Sequence, residues 1–246
     1  MTGADGRIGR MLRTRLSGHD LRLSDLRGGD GVDRLDVTDG AAVERAARGA
    51  DAILHLGGIA GEDSFESLLT ANVRGTEQVL AAAYRAGVPR VILASSNHAA
   101  GMYRREPDLP DDVPARPDSY YGWSKAAMEA LGRLHHDRHG THVVCLRIGR
   151  CADRPATVRD LSVWLSPDDM ARLVEASLTA TGHRLVWGVS ANTRRWWSDA
   201  GGRAIGFHPA DDAEKWAAEV TDDGSEERVG GDMTGPENPL PGDGRT

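Results

Sequence analysis

Tyr121-Gly122-Trp123-Ser124-Lys125 sets a phenol and an ammonium four residues apart, a spacing that shares one face of a helix. A free phenol titrates near pH ~10, too high for a base at neutral pH, and a neighbouring ammonium favours the phenolate. Such a pair can act as a general acid/base on a hydroxyl or carbonyl. Only two of the 30 basic residues are lysines, Lys125 and Lys215. Arginine can neither give up its proton nor act as a compact point charge, so a lysine kept at this position points to chemistry. Ser95-Ser96-Asn97-His98 closes an apolar run, Arg90 to Ser95. There Ser96 can donate to a substrate oxygen, and Asn97 and His98 can meet substrate hydroxyls. His98 could equally do no more than cap the strand end.

The second cluster is a glycine loop, Gly3-Ala4-Asp5-Gly6-Arg7-Ile8-Gly9, opening a helical pattern. Glycines allow the sharp turn and the close backbone approach that a pyrophosphate needs. Asp25 follows at the end of a short apolar run, where a carboxylate accepts from ribose hydroxyls and repels a 2′-phosphate. This favours NAD over NADP, with Arg22 and Arg27 flanking as the opposing signal. A strand should lead into the loop, yet only Met1 and Thr2 precede Gly3. The expectation is a central strand missing at the N-terminus, as from a start assigned too late or a truncated chain.

Positioning these groups requires a sheet. Short apolar runs at 21–24, 32–37, 52–56, 90–95 and 143–147 alternate with helical patterns at 8–16, 41–47, 65–86 and 120–139. The alternation predicts an α/β, Rossmann-like, doubly wound parallel sheet with helices on both faces. Ligands in such sheets lie beyond the strand carboxyl ends, where Ser96 falls. Residues 1–150 are expected to form the dinucleotide-binding domain. Residues 151–220 read as a small mixed α/β substrate-binding portion with helices over 167–179 and 211–220. Residues 221–246 read as a flexible or draped tail.

Composition excludes several classes. The balance 30 − 37 = −7 is a poor match to nucleic acid or an anionic membrane. No run approaches the ~20 apolar residues of a membrane span, and the N-terminus lacks the pattern of a secretion signal. Two cysteines, Cys145 and Cys151, build neither a disulfide framework nor a four-ligand zinc site. Cys145 reads as core filler, and Cys151 could be a reactive thiol. A cytoplasmic location and no metal follow. His135 and His139 are four apart but lack the glutamate of a metalloprotease, and Arg194-Arg195-Trp196-Trp197 reads as a wall rather than a stacking platform.

Together, the glycine loop, Asp25, Asp36, His55-Leu56-Gly57-Gly58, Asn72-Val73-Arg74-Gly75-Thr76, Ser95-Ser96 and Tyr121-x-x-x-Lys125 resemble the extended short-chain dehydrogenase/reductase family. Within it, Ser95-Ser96-Asn97-His98, Asp112 to Asp118, Arg147-Ile148-Gly149, Leu161-Ser162-x-Trp164 and Val186-Trp187-Gly188-x-Ser190-Ala191-Asn192 are similar to the uronate dehydrogenases. The resemblance implies NAD-dependent oxidation of a uronic acid or related sugar at the anomeric carbon, giving an aldarolactone. It implies Tyr121 as base, Lys125 as its tuner and ribose ligand, and Ser96 as the substrate-oxygen partner. It implies cofactor contacts from Gly3, Gly6, Arg7, Ile8, Gly9, Asp25, Asp36, Val37, Leu56, Gly57, Gly58, Asn72 and Ile148. Sugar contacts would come from Asn97, His98 and Arg159, the last at the carboxylate, and from Arg150. This chain carries Ala60 and Arg150 where the family usually has serines near the sugar. A homo-oligomer is expected. The rivals are an NAD-retaining epimerase or dehydratase on a nucleotide-linked sugar and a non-catalytic NAD-binding regulator.

Overall fold

Val91, Ile92 and Leu93 are all fully buried, and successive side chains point to opposite faces, so both sides of this strand must be covered. Val91 and Leu93 join one core with Val79, Leu80 and Met128, whereas Ile92 joins the other with Leu12, Leu146 and Leu173. The computed structural model describes residues 1–221, 227–235, 238, 240 and 241. In chain order the elements are α1 (Arg7–Arg13), β1 (Ser24–Asp25), β2 (Asp33–Arg34), α2 (Gly40–Ala47), β3 (Ile53–His55), α3 (Phe65–Leu68), α4 (Gly75–Ala86), β4 (Arg90–Ser96), α5 (Tyr120–His139) and β5 (His142–Ile148). Then come β6 (Arg150–Cys151), α6 (Asp160–Val163), β7 (Trp164–Leu165), α7 (Pro167–Ser177), β8 (His183–Gly188) and α8 (Ala200–Ala204).

Strands β3, β4, β5 and β8 pair in that order, all parallel, and β1 pairs in parallel with β2. Thr2 joins the two groups. It bridges Ser24 on one side and His55 on the other, both in parallel. Its N–H donates to Leu54 O at 3.0 Å, and its carbonyl accepts from Leu56 N at 3.3 Å. The expected first strand is therefore present only as a stub. Strand β1 covers 24–25 rather than 21–24, although Leu23 O still accepts from Asp33 N at 2.8 Å. Beneath the stub lies a cavity of about 240 Å³ lined by Met1, Leu16, Leu21, Ile53, Leu54 and Val174 among others. Burial and the Arg22 charge push the Met1 amine down to about 6.

The expected helix over 65–86 is interrupted. Leu69–Arg74 is a π-helical stretch between α3 and α4. Such a turn carries one extra residue, which periodicity does not reveal. The expected helix over 211–220 shrinks to a 3₁₀ turn, Ala213–Trp216, of which only Ala213 is fully buried. Trp216, Ala217 and Val220 pack only partly buried beside it, and so short a segment is marginal as a helix. The second part of the chain packs on its indoles: Trp196 stacks on Trp197 at 3.6 Å, and Trp197 meets Trp187 at 4.6 Å. Arg194 and Arg195 turn outward to Glu214 and Asp199. Of the tail expected over 221–246, residues 222–226, 236, 237, 239 and 242–246 lie outside the described residues. Residues 227–235 lie across the loop after β4. Val229 is fully buried and donates to Tyr103 O at 2.9 Å, and Gly230 donates to Gly101 O at 2.9 Å.

The cavity opens beside Met1, between Leu21 and Ile53. Extending the chain there by about five to seven β-branched apolar residues, a usual strand length, is expected to raise Tm and tighten NAD binding. Thermal melts of both forms with and without NAD test this. Identical melting and identical NAD affinity would show that the cavity needs no strand.

Candidate active site

The groove is built first by glycines. Gly3 has φ +67°, and a Cβ there would lie 2.6 Å from the Leu56 carbonyl carbon, so the fold itself requires glycine. Gly6 is different. Its φ is −67°, and a Cβ would meet nothing nearer than Gly3 O at 3.2 Å. Glycine at this position leaves room for a ligand rather than for the protein. Gly3, Gly6, Leu56, Gly58 and Ile59 line two adjoining cavities, of about 880 and 480 Å³, which together form one groove over the carboxyl ends of the strands. A dinucleotide fits this arrangement, and the backbone at Gly6 would hold its pyrophosphate.

The larger cavity would take the adenosine end of the cofactor. Asp25, Asp36 and Val37 line it, as does Gly57. Asp25 Oδ2 accepts from Asp5 N at 3.0 Å, which fixes the carboxylate at the mouth. Thr38 donates to Asp36 from its hydroxyl and its N–H, and the hydroxyl above all holds that carboxyl below its ordinary range. Of the two flanking arginines, Arg27 lines this cavity, whereas Arg22 donates to Arg48 O on the far side of the sheet edge. Asn72, expected at the cofactor, is spent inside the protein. Its Oδ1 accepts from Ile59 N at 2.8 Å, and its Nδ2 donates to Ile59 O and to Ser124 Oγ. The π-turn aims it there, so it holds the Gly58–Ile59 loop against α5. His55 bridges Thr2 and Thr76, and burial drives its pKa to about 3, keeping the ring neutral.

The smaller cavity brings together Arg7, Ser96, His98, Tyr121, Lys125 and Ile148, along with Ile8 and Gly9. Helix α5 delivers Tyr121 and Lys125 one turn apart. Ser119 Oγ caps Gly122 N at 3.0 Å, and Glu62 accepts from Tyr120 N and Tyr121 N at 3.1 and 2.8 Å. Lys125 Nζ donates to Ala94 O at 2.8 Å and lies 5.5 Å from the Tyr121 ring centre. Burial lowers its pKa from 10.5 to about 8, with Glu129 opposing. The phenol departs from expectation. Burial raises the Tyr121 pKa; the Ser96 hydroxyl bonded to it lowers it, Asp118 raises it, and Arg7 lowers it. The cation favouring the phenolate in this geometry is Arg7, because the ammonium is turned to the Ala94 carbonyl beneath the ring.

Beneath the pair sits a buried network. Arg147 donates to both oxygens of Glu129 at 3.0 and 2.8 Å, and Ser95 Oγ donates to the same carboxylate at 2.6 Å. On the sugar side, His98 Nδ1 lies 2.8 Å from Asp118 Oδ2, and its ring meets Tyr121 edge-on at 5.7 Å. Three expected sugar contacts are placed elsewhere. Asn97 Nδ2 and Arg159 Nη2 both donate to Val229 O, at 2.9 and 2.8 Å, so they hold the segment 227–235. Arg150 Nε lies 3.0 Å from Asp160 Oδ2, drawn off by that buried carboxylate. Ala60 does line the cavity. Cys151 lines it too, but burial pushes its thiol up to about 12, so it is not a reactive thiolate. His135 and His139 stand on the outer part of α5, and no metal-holding group of side chains occurs among the described residues.

Sequence reasoning missed Asp118, Glu62 and Met233. Met233 reaches the cavity from the segment 227–235. Asp118 carried a local signal, lying beside the Ser119 cap; Glu62 acts on a residue 59 positions away and carried none.

A cation buried at Lys125 costs stability in return for its place in the site. Lys125→Met is expected to abolish turnover yet to melt no lower than the wild type at pH 7. In the wild type, the folded-state pKa of about 8 lies below the ordinary 10.5, so between these values the unfolded chain binds more protons and stability rises with pH. The melting difference should therefore shrink as pH rises from 8 towards 10.5. A variant that melts well below the wild type at pH 7 would contradict this account.

The NAD dependent epimerase/dehydratase family model matches residues 1–152. The uronate dehydrogenase of Pseudomonas putida is 40% identical over 231 residues, 89% of this chain and 86% of the relative. The L-arabinose 1-dehydrogenase (NAD(P)(+)) of Haloferax volcanii is 37% identical over 245 residues, 87% of this chain and 96% of the relative. Among solved structures, a uronate dehydrogenase variant from Agrobacterium tumefaciens complexed with NAD superposes with TM-score 0.89 at 38% identity, covering 97% of this chain and 96% of that one. No helix among the described residues is long and apolar enough to cross a membrane. A glycine-built groove, a Tyr121–Lys125 helix pair and a family match over more than half of its length lead to one conclusion: the chain belongs to the NAD dependent epimerase/dehydratase family.

Proposed function

We propose that this chain oxidises a uronic acid, or a closely related free sugar, at its anomeric carbon to the aldarolactone. The observation that carries the proposal is the convergence of Ser96, Tyr121 and Lys125 on one cavity at the end of the dinucleotide groove. Bound NAD supplies the hydride acceptor. Tyr121 takes the proton of the anomeric hydroxyl, and Ser96, bonded to the phenol, holds the same oxygen. Arg7 and the bound sugar's surroundings set the phenol's proton affinity, and Lys125 anchors the floor of the site through Ala94 O. His98 contacts a sugar hydroxyl. Arg159 and Asn97 act on the sugar through the segment they hold, which brings Met233 to the cavity. Of the two positions that depart from the family pattern, Ala60 is the one facing the substrate.

The relatives support a free sugar as substrate, since those named above are a uronate dehydrogenase and an L-arabinose 1-dehydrogenase. Residues 1–150 would bind NAD, and 151–220 would build the sugar side. NAD use and two cysteines without a disulfide favour the cytoplasm. Exposed Tyr84 and Leu134, on α4 and α5, favour self-association into a homo-oligomer. Sedimentation velocity tests this, and a monomer at micromolar concentration would exclude it.

Incubation with free glucuronate or galacturonate and NAD should give net NADH absorbance at 340 nm, with NADP a poorer acceptor because Asp25 faces the ribose. A cofactor-retaining epimerase or dehydratase would give no net NADH. Tyr121→Phe should lower kcat by roughly 10²–10⁴-fold, the range for a general acid–base group, with NAD affinity kept. Normal turnover by Tyr121→Phe would remove it as the base.

A further inference from the structure

Three segments of the chain give up a side chain to make room for one carboxylate. Asp118 is lodged between Gly101, Gly122 and Gly230, and a Cβ on Gly101 or Gly230 would run into its Oδ2. At Gly122 it would run into His98 O first and lie 2.8 Å from Oδ1. The Asp118 side chain is wholly buried. Its Oδ1 accepts from Ser119 Oγ at 2.7 Å, and its Oδ2 faces His98 Nδ1 at 2.8 Å. His98 is fixed at its backbone as well: its N–H donates to Ser96 Oγ, and its carbonyl accepts from Gly101 N at 3.2 Å. Its ring lines the reacting cavity beside Tyr121.

We propose that Asp118 is a positioning residue for His98, holding the imidazole proton on Nδ1 so that Nε2 faces the cavity as a hydrogen-bond acceptor for a substrate hydroxyl. The deepening rests on the sugar-oxidising function proposed above. An ionised carboxylate only accepts, so the nitrogen it faces must carry the proton. In neutral imidazole the other nitrogen is then an acceptor. No hydrogen-bond partner for Nε2 occurs among the described residues, which leaves that lone pair for the ligand. A polyhydroxylated sugar offers many donors, and a fixed acceptor selects the pose in which one of them points at Nε2. The same logic orients imidazoles at metal and catalytic centres, where the outer partner sets the tautomer. Segment 227–235 takes part, because Gly230 forms one wall of the slot.

The first test needs no variant. Nitrogen-15 NMR of histidine-labelled protein, with His98 assigned by its loss in His98→Gln, should show Nδ1 protonated and Nε2 unprotonated at neutral to mildly alkaline pH. A proton on Nε2 there would overturn the proposal. The second test is a double-mutant cycle. Asp118→Asn keeps the shape, but an amide can donate as well as accept and so releases the tautomer. It should raise KM for the uronate by about tenfold, with NAD affinity and Tm close to the wild type. In the His98→Gln background the same substitution should change KM by less than about twofold. An equal cost in both backgrounds, or a parallel loss of NAD affinity, would make Asp118 a merely structural residue and overturn the proposal. Failure of the wild type to turn over any uronate would count against the function proposed above, and the NMR result would then decide the role of Asp118 by itself.

Discussion

The bidentate pair between Arg147 and Glu129 holds the reacting end of the molecule together. Both groups are almost wholly buried, at 1% and 7% side-chain exposure. Charges so placed are stable only when every contact is met, and losing one partner costs about 3–5 kcal/mol because the other is left uncompensated. Here the contacts are met from four directions. The pair joins β5 to α5; Ser95 ties in the end of β4; Arg147 also donates to Asp111 O and Val113 O and lies 5.3 Å from the Trp187 ring centre. Because Glu129 is one turn along α5 from Lys125, the pair fixes the rotation of the helix that presents Tyr121 and Lys125. Its charge also opposes the loss of the Lys125 proton.

A second constraint comes from the opposite direction. The segment 227–235 is held by Asn97, Arg159 and, through the Gly230 slot, Asp118. These residues lie at the strand end, the α6 turn and the start of α5. The site is therefore a cleft between a rigid sheet edge and one late segment anchored by three polar side chains. The end at Ser96 and His98 depends on contacts between residues 70 and 132 positions apart, whereas the glycine-loop end draws only on residues up to Ala71.

That difference explains what the sequence disclosed. Helix α5 was legible at both ends, because Ser119 and Gly140 are local signals, and so was the Tyr121–Lys125 spacing. The glycine loop, β4 and β5 were legible from composition and apolar runs. The π-turn at Leu69–Arg74 was not, since one extra residue leaves the hydrophobic pattern intact on either side. Asn72, given to the cofactor by the resemblance, lies in this turn and braces a loop. Asn97 was read as a sugar contact from its place at a strand end, and Arg150 and Arg159 from the family resemblance. Which partner they choose depends on Val229 and Asp160, and long-range choices leave no trace in spacing. The lysine's partner was hidden for a similar reason: adjacency on a helix face does not say that the ammonium will also donate to the Ala94 carbonyl.

The anchoring of residues 227–235 bears on the order in which the protein matures. Synthesis runs from residue 1 onward, and domains tend to fold as they emerge. Every residue that lines the larger cavity lies at or before Ala71, whereas Val229, Gly230 and Met233 are added much later. A nascent chain can thus assemble its coenzyme cradle while His98 and Asp118 still lack the wall that confines them. Coenzyme capture would precede competence toward sugar, so that the growing polypeptide gains a stabilising ligand before it gains chemistry.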